Sequence, residues 1–307
     1  MSKTIFVFPG QGAQYVGMGK ALSESFAPAK ELLQKADDVL GFSLSKVMFE
    51  GTEDELKVTA NTQPALFVSS MMVLEVLKAE GIAFDMVAGH SLGEYSAICA
   101  AGGFSFEDGL KLVRIRGTLM AEAGVKNPGS MAAVIGVDDQ KVQELCDEAK
   151  SAGIVVPANY NCPGQIVVSG EVAAVKKLVE NCAAAGVKAV PLAVSGAFHS
   201  PLIQSALPGL AEAIAKTEFH NLQKPLIANV TAKEVTDCNE IKDLLVRQLV
   251  SPVRWSQSML YAQKELGMTS GVEVGVGHVL SGLQRKIDRS VKFTAVESVE
   301  AVQALKA

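Results

Sequence analysis

The sequence predicts an α/β protein with a parallel central sheet and a smaller second subdomain. Short apolar runs alternate with amphipathic segments of helical period, as in a parallel sheet that helices cover on both faces. The middle of the chain, residues 126–195, departs from that alternation by placing two strands in succession. A serine flanked by glycines separates one short strand from the next helix, the turn at which such sheets present a reactive side chain.

The large subdomain is expected to comprise residues 1–125 and 196–307. Its strands are predicted from short apolar runs at residues 4–8, 85–88, 226–230 and 271–274. Its helices are predicted from apolar spacing at residues 19–35, 63–79, 91–102, 106–123, 201–216, 239–249 and 256–265. No internal repeat or low-complexity linker interrupts this order.

The inserted subdomain, residues 126–195, reads in the order β-α-β-β-α-β, which is that of a ferredoxin-like unit. Its strands are predicted at residues 131–135, 155–160, 165–169 and 187–194. Its helices are predicted at residues 138–152 and 171–185. Because no flexible linker separates the two subdomains, we expect them to share an interface with a cleft.

The composition excludes several classes of protein. With 49% apolar and 20% charged residues in 307, the chain can bury a sizeable core. The net charge of −5 speaks against a nucleic-acid binder. The most apolar stretch, residues 65–77, contains two serines and Glu75, so no membrane span is expected. Five cysteines without a C-x-x-C pair indicate reduced thiols in the cytoplasm rather than disulfides or a zinc site.

The strongest local motif is G-x-S-x-G, formed by Gly89 to Gly93 around Ser91. In this turn the chain reverses sharply, so the serine adopts a strained backbone conformation and larger residues at the flanking glycines would collide. The hydroxyl then stands at the end of the sheet, near the positive end of the next helix. This context predicts a nucleophile on an α/β-hydrolase-like core. The alternative is a serine that merely caps the helix.

A serine nucleophile needs a base, and the chain has four histidines. His90 adjoins Ser91, but its side chain should point elsewhere on the turn. His220 follows a predicted helix and reads as a surface residue. His199 lies at the exit of the inserted subdomain, whereas His278 follows a predicted strand, so the residues alone leave both as candidates.

Three further features have an ordinary explanation. Gly10 to Gly12 follow a strand, but they lack the spacing and the lysine of a phosphate loop. Arg116, on the same predicted helix as two other basic residues, reads by itself as a solvated side chain. The segment from Gln284 to Lys286, with Arg289, could meet an acidic protein partner or form a solvated helix face.

Five motifs occur in order along essentially the whole chain. They are Phe8-Pro9-Gly10-Gln11-Gly12, Gly89-His90-Ser91-Leu92-Gly93-Glu94, Arg116-Gly117 with Met120, Gly196-Ala197-Phe198-His199-Ser200, and Gln248 with Pro252-Val253-Arg254-Trp255. Together they resemble the malonyl-CoA:acyl carrier protein transacylases of fatty-acid synthesis. Where relatives often carry a lysine, this chain has His278.

The resemblance implies a role for each matching residue. Ser91 would be the nucleophile and His199 the base, which the main-chain carbonyl of Gln248 would orient. The backbone N–H groups of Gln11 and Leu92 would form the oxyanion hole. The implied substrate-binding residues are Arg116, which would bind the malonyl carboxylate, Gln248, Phe198, which would narrow the pocket, and Met120 on the arginine helix.

The resemblance also implies a reaction and its partners. A malonyl group would pass from coenzyme A to Ser91 and then to the phosphopantetheine thiol of an acyl carrier protein, an acidic partner bound transiently, in fatty-acid or polyketide synthesis. No cofactor, metal, nucleic acid or membrane would take part, and we expect a monomer. The alternative is a serine hydrolase or thioesterase of the α/β-hydrolase type, with His278 as its late histidine.

Overall fold

The computed structural model describes residues 2–305, which form two β-sheets with helices around them. The strands are β1 (Lys3–Phe8), β2 (Met86–Gly89), β3 (Gly129–Ile135), β4 (Val155–Cys162), β5 (Gln165–Glu171), β6 (Lys188–Pro191), β7 (Leu226–Ile227), β8 (Glu234–Val235), β9 (Met268–Val274) and β10 (Lys292–Val296). The α-helices are α1 (Lys20–Ser25), α2 (Ala27–Leu40), α3 (Leu44–Glu50), α4 (Glu53–Lys57), α5 (Thr59–Ala79), α6 (Gly93–Ala100), α7 (Phe106–Lys126), α8 (Asp139–Ala149), α9 (Val172–Ala184), α10 (Leu207–Lys216), α11 (Cys238–Gln248), α12 (Trp255–Lys264), α13 (Val279–Ile287) and α14 (Val299–Ala304).

The central sheet has the strand order β10-β9-β1-β2-β7-β8. All neighbours are parallel except β7 and β8. Strand β1 lies near its middle, and its residues 5–8 are fully buried because helices cover both faces of the sheet. The carboxyl ends of β1, β2 and β7 therefore lie side by side at one edge, where parallel sheets usually hold their ligands.

The second sheet is antiparallel, with the order β4-β5-β3-β6. Helices α8 and α9 cover one of its faces around a separate apolar cluster that includes Val134, Leu145 and Leu178. On the other face, Met131 and Val167 join the main apolar cluster of the central sheet. The side chains of β3 therefore alternate between a local core and the rest of the molecule.

Strand β4 connects the two sheets directly. The Tyr160 N–H donates to the Val253 carbonyl at 2.9 Å, and the Val253 N–H donates to the Ala158 carbonyl at 2.8 Å. Val253 precedes α12, which packs against the central sheet. The strands of the second sheet all lie within residues 126–195; the division of the chain into two subdomains at those bounds stays a prediction.

Several predicted elements differ in detail, and prolines or turns explain three of the differences. The strand expected at 187–194 is shorter, since β6 ends at Pro191. The helix expected at 19–35 is split at Phe26 into α1 and α2, with a proline in the first turn of α2. The helix expected at 201–216 begins as a 3-10 helix, Pro201–Ala206, and becomes α-helical only at α10, whose first turn again contains proline. The strand expected at 226–230 stops at Ile227, because the chain turns at residues 229 and 230. Among residues 2–305, the longest helices are too polar for a bilayer span.

Candidate active site

Ser91 occupies the turn between β2 and α6, and its φ of 52° lies in the left-handed region. A Cβ on Gly89 would stand 1.9 Å from the carbonyl carbon of Gly93. A Cβ on Gly93 would stand 2.0 Å from the carbonyl oxygen of Phe8. Both glycines are therefore required for the turn to pass close to itself and to β1. The strained conformation expected for Ser91 is confirmed, at a cost of about 1–3 kcal/mol that the surrounding contacts must offset.

His199 contacts the Ser91 hydroxyl directly. Its Nε2 lies 2.7 Å from Ser91 Oγ, and its Nδ1 lies 3.0 Å from the carbonyl oxygen of Gln248 and 3.1 Å from that of Ser251. Carbonyl oxygens only accept hydrogen bonds, so the proton of the neutral ring lies on Nδ1 and Nε2 accepts from the hydroxyl. The contacts therefore hold the imidazole in the tautomer that a general base requires.

The position of His199 depends on two local structures. His199 itself has a φ of 57°, and the Ser200 hydroxyl holds the following turn by donating to the Ala197 carbonyl at 2.6 Å. Gln248 is the last residue of α11, where main-chain carbonyls have no partner within the helix. One of these free carbonyls receives the imidazole N–H, and the negative end of the helix favours a positive charge there.

Burial, together with the smaller effect of the nearby positive charge of Arg116, lowers the pKa of His199 to about 3. Only 4% of the His199 surface is exposed, so a charged imidazole would lose most of its hydration. His199 is consequently neutral at physiological pH. A neutral imidazole facing a hydroxyl can accept its proton.

Arg116, on α7, is buried beside Ser91 rather than solvated. Its Nη1 donates to Gln63 Oε1 at 2.9 Å, and its Nη2 donates to Gln248 Oε1 at 2.9 Å and to Ser91 Oγ at 3.1 Å. The guanidinium also lies over the Tyr95 ring, 5.4 Å from its centroid. The interpretation of Arg116 as a solvated helix residue is wrong, since only 1% of its surface is exposed.

The partners of Arg116 are neutral. Within residues 2–305, no Asp or Glu lies at ion-pair distance from the guanidinium, and Nε has no hydrogen-bond partner. A buried guanidinium without an anion in contact is costly, and burial lowers its pKa against the weaker opposing effects of Tyr95 and the more distant Glu94. The site is therefore suited to an anion that arrives from outside.

Gln11 and Leu92, the two predicted main-chain donors, both line the cavity at Ser91. Gln11 follows β1 and Leu92 precedes α6, where the first amides of a helix lack partners. Neither N–H donates to another protein atom in the described part of the chain. Two main-chain N–H groups without a protein acceptor are what an oxyanion hole requires, and that role of Gln11 and Leu92 stays a prediction.

A cavity of about 120 Å³ lies between the edge of the central sheet and the second sheet. Its apolar lining consists of Leu92, Met120, Met131, Leu192, Val194 and Phe198. Its polar lining consists of Gln11, Gln63, His90, Ser91, Arg116, Asn159 and His199. A neighbouring cavity of about 250 Å³ shares Gln11, His90, Asn159 and Leu192 with it and extends to α13. The predicted substrate-contact residues Phe198 and Met120 are thus at the site.

The other histidines do not contact Ser91. His90 is half-buried, and its Nε2 lies 2.9 Å from Asn161 Oδ1. His220 is exposed. His278 is also exposed, immediately before α13, and it does not line the cavity. The structure brings His199 and not His278 to the serine, which removes the basis for the hydrolase alternative.

Sequence reasoning missed several polar residues around the site. Asn229 and Gln63 bond to the Ser91 turn and to Arg116, yet neither lies in one of the five motifs. The one available signal for Asn229 was its position after a strand that ends at the same edge as β2.

The basic segment near residue 285 is not one uniform face, because Gln284 is buried while Arg285 and Lys286 are exposed. Among residues 2–305, no cluster of His, Cys, Asp and Glu could hold a metal ion.

Comparisons with known proteins agree with this geometry. A family model described as the acyl transferase domain matches residues 5–305. A malonyl CoA-acyl carrier protein transacylase of Bacillus subtilis (strain 168) is 45% identical and covers 100% of this chain and 98% of the relative. The solved acyl-carrier-protein-S-malonyltransferase of Bartonella henselae is 42% identical with a TM-score of 0.96, over 99% of this chain and 98% of that one. A malonyl-transacylase solved with its type II PKS acyl-carrier protein is 39% identical with a TM-score of 0.95, over the same shares of the two chains.

Proposed function

We propose the following function for this chain, which belongs to the acyl transferase domain family. It is an acyltransferase that moves a malonyl group from coenzyme A to the phosphopantetheine thiol of an acyl carrier protein. The acyl group passes through an ester on Ser91. The proposed reaction uses only the residues of the chain and its two thioester partners, with no cofactor.

One observation carries the choice of acyl group: Arg116 is buried without an anionic partner, and its Nη2 lies 3.1 Å from the nucleophilic oxygen. A malonyl group carries a carboxylate just beyond the thioester carbonyl that Ser91 attacks. A guanidinium holds a carboxylate with two parallel hydrogen bonds, each contributing about 1.5–3 kcal/mol. An acetyl group offers no such partner and leaves the buried charge unpaired.

In the first half-reaction, His199 Nε2 accepts the Ser91 proton while Oγ attacks the thioester carbonyl. The carbonyl oxygen becomes an oxyanion, which the N–H groups of Gln11 and Leu92 stabilise. Losing one such donor typically slows a reaction about 10²–10³-fold. When the tetrahedral intermediate collapses, the C–S bond breaks, and coenzyme A leaves with the proton from His199. A malonyl ester of Ser91 and a neutral imidazole remain.

In the second half-reaction the carrier-protein thiol attacks the ester by the reverse route. His199 accepts the thiol proton and returns it to Ser91 Oγ as the C–O bond breaks. Since both substrates are thioesters, the exchange is nearly isoenergetic and runs in both directions. The small, partly apolar cavity disfavours water, which would otherwise hydrolyse the ester.

Other residues have supporting roles in this proposal. Gln248 orients His199 through its main-chain carbonyl and contacts Arg116 through its side chain. Phe198 and Met120 narrow the pocket around the acyl group. A narrow pocket favours malonyl over a branched homologue by about 1–3 kcal/mol per extra methyl group.

Two features of the sheets support a finer assignment of the fold. The parallel central sheet with its strained serine turn is α/β-hydrolase-like. The strand order of the second sheet, with α8 and α9 on one face, supports a ferredoxin-like subdomain. The cavity between the sheets then corresponds to the cleft where the two thioester arms enter in turn.

The test of the proposed function is to trap the ester. Incubation with malonyl-CoA and no acceptor should add one malonyl group to the intact protein, and peptide mapping should locate it on Ser91. Adding a carrier protein with its phosphopantetheine arm should remove the adduct and acylate the carrier. Ser91→Ala should remain unlabelled. An adduct on another residue, or rapid release of free malonate without acylation of the carrier, would refute the proposal.

A further inference from the structure

Glu94 lies directly beneath the nucleophile turn, on the first turn of α6, and does not line the cavity. Only 2% of its surface is exposed. Its Oε1 accepts the main-chain N–H of Asn229 at 2.8 Å, and its Oε2 accepts Nε2 of Gln248 at 2.5 Å. The two oxygens of a single buried carboxylate therefore connect two segments that are distant in sequence.

The first of these segments holds the backbone of the nucleophile. Asn229 Oδ1 accepts the Ser91 N–H at 2.8 Å, and Asn229 Nδ2 donates to the Gly89 carbonyl at 2.7 Å. These bonds lie on both sides of His90, where the turn is formed. They are suited to hold Ser91 in its left-handed conformation, which a residue with a Cβ does not keep without such support.

The second segment connects the nucleophile with the base. Gln248 Nε2, besides its bond to Glu94, donates to the Ser91 carbonyl at 2.9 Å. The main-chain carbonyl of the same Gln248 accepts Nδ1 of His199. A displacement of Gln248 would thus move Ser91 and His199 relative to each other.

We propose that Glu94 is a positioning residue of the transfer reaction, whose ionised carboxylate holds Ser91 and His199 at reacting distance through Asn229 and Gln248. The proposal rests on the proposed function of those two residues. Both partners of Glu94 are donors, so the site needs two acceptors at once. An ionised carboxylate provides them, whereas a protonated acid or an amide turns one acceptor into a donor that faces another donor.

The charged and titratable groups that interact with Glu94 are Arg116 on α7 and Tyr95 on α6. Burial raises the pKa of Glu94 to about 7, against the opposing effect of its hydrogen bonds and of Arg116. Since burial instead lowers the pKa of His199 to about 3, the group that changes its protonation near neutral pH is Glu94. Below this pH the carboxyl gains a proton and one acceptor is lost, so the rate should fall as the pH decreases.

The experiment is the pH profile of kcat/KM for malonyl-CoA, which reports groups of the free enzyme. The wild-type rate should fall below about pH 7. Glu94→Gln should lower the alkaline plateau about 10²-fold, the effect of a small displacement of reacting groups, and its profile should be flat through neutral pH. A Glu94→Gln variant that keeps the wild-type acid limb, or the wild-type plateau, would overturn the proposal.

Two further variants keep the test decisive. Glu94→Asp retains an ionisable carboxylate but is one methylene shorter, so it should keep an acid limb on a lowered plateau; a flat profile would contradict the proposal. The matched control is Glu273→Gln, since Glu273 is also fully buried and accepts main-chain N–H groups, at Leu280 and Ser281. Glu273→Gln should keep the wild-type profile shape.

Failure of wild-type protein to form malonyl-Ser91 would refute the proposed function, whereas a normal adduct with unchanged Glu94→Gln kinetics would refute only this inference.

Discussion

Arg116 and His199 contact the same oxygen atom, since Arg116 Nη2 lies 3.1 Å and His199 Nε2 lies 2.7 Å from Ser91 Oγ. The hydroxyl therefore donates its proton to the imidazole while it accepts a hydrogen bond from a buried cation. Burial and, to a lesser extent, the positive charge of Arg116 lower the pKa of His199 and keep the imidazole neutral. The same guanidinium is the group proposed to bind the acyl carboxylate, so the residue that would select the substrate lies next to the nucleophile.

The role of His199 as the base can be tested by substituting His199 and His278 separately. His199→Ala should lower kcat/KM for malonyl transfer about 10²–10⁴-fold, because the hydroxyl loses the one proton acceptor that residues 2–305 place within hydrogen-bond distance. His278→Ala, at an exposed position outside the cavity, should transfer malonyl at the wild-type rate. Initial rates of carrier-protein acylation measure both effects. The opposite pattern would favour the hydrolase arrangement.

The unpaired charge of Arg116 predicts a change in acyl selectivity. Arg116→Ala should lose about 10²-fold or more in kcat/KM for malonyl-CoA, since two charge-assisted hydrogen bonds disappear, while acetyl transfer is kept or rises. Arg114→Ala is the control, because Arg114 lies on the same helix and bonds to Ala60 and Asn61 of α5 instead. It should leave the malonyl-to-acetyl ratio unchanged. Equal losses of both acyl groups in Arg116→Ala would show that Arg116 only supports the structure.

The depressed pKa of His199 predicts how stability depends on pH. The folded protein keeps the ring neutral down to about pH 3, whereas the unfolded chain takes up a proton below the ordinary value of 6.5. The contribution of His199 to the free energy of unfolding is therefore complete above pH 6.5 and is lost as the pH falls towards 3. Glu94 acts in the opposite direction, because its raised pKa makes the folded state the better proton binder between 4.5 and about 7.

The free energy of unfolding should consequently fall less between pH 7 and pH 4.5 in His199→Ala than in the wild type. Urea denaturation at several pH values measures this slope. His220→Ala is the control, because His220 is exposed. A His199→Ala slope equal to that of the wild type would contradict the burial argument.

Two glycines should respond oppositely to the same substitution. Gly93→Ala should destabilise the protein by more than about 3 kcal/mol, because the new methyl group would stand 2.0 Å from the Phe8 carbonyl oxygen. Gly282→Ala, within α13, meets no atom within 4 Å and should stabilise the protein by about 0.5–1 kcal/mol. Chemical denaturation provides both values. A Gly93→Ala protein of wild-type stability would show that the turn does not require glycine there.

Local features of the chain were predictable from the residues themselves. The strand-turn-helix around Ser91 depends on residues within a few positions of one another, and its strained backbone was confirmed by the φ of 52°. The order of most strands and helices, including the two successive strands near residue 160, also follows from local apolar spacing. The short elements α3, α4, β8, β10 and α14 were not predicted. Errors occurred where prolines and tight turns shorten elements, as at residues 201–206 and 226–230.

The residues that make up the site could not be predicted from local spacing in the same way. On spacing alone, His199 and His278 were both acceptable bases, and Arg116 was an ordinary helix arginine. Only the resemblance to a family favoured the arrangement that the structure shows. The motifs gave no signal for Asn229, for Gln63 or for the contacts of Glu94. Asn229 meets the Ser91 turn, and Gln63 meets Arg116, from more than 50 positions away. Glu94 in turn contacts Asn229.

The sequence by itself determined which segments become strands and helices and where the chain must turn sharply, since these depend on backbone sterics and on the periodicity of nearby apolar residues. Only the tertiary structure decided which side chains share the space around Ser91. That choice follows from the order of β1, β2 and β7 in one sheet and from the position of the second sheet against it. Both are set by long-range packing of the core, whose free energy depends on all its residues together and not on any short stretch of the chain.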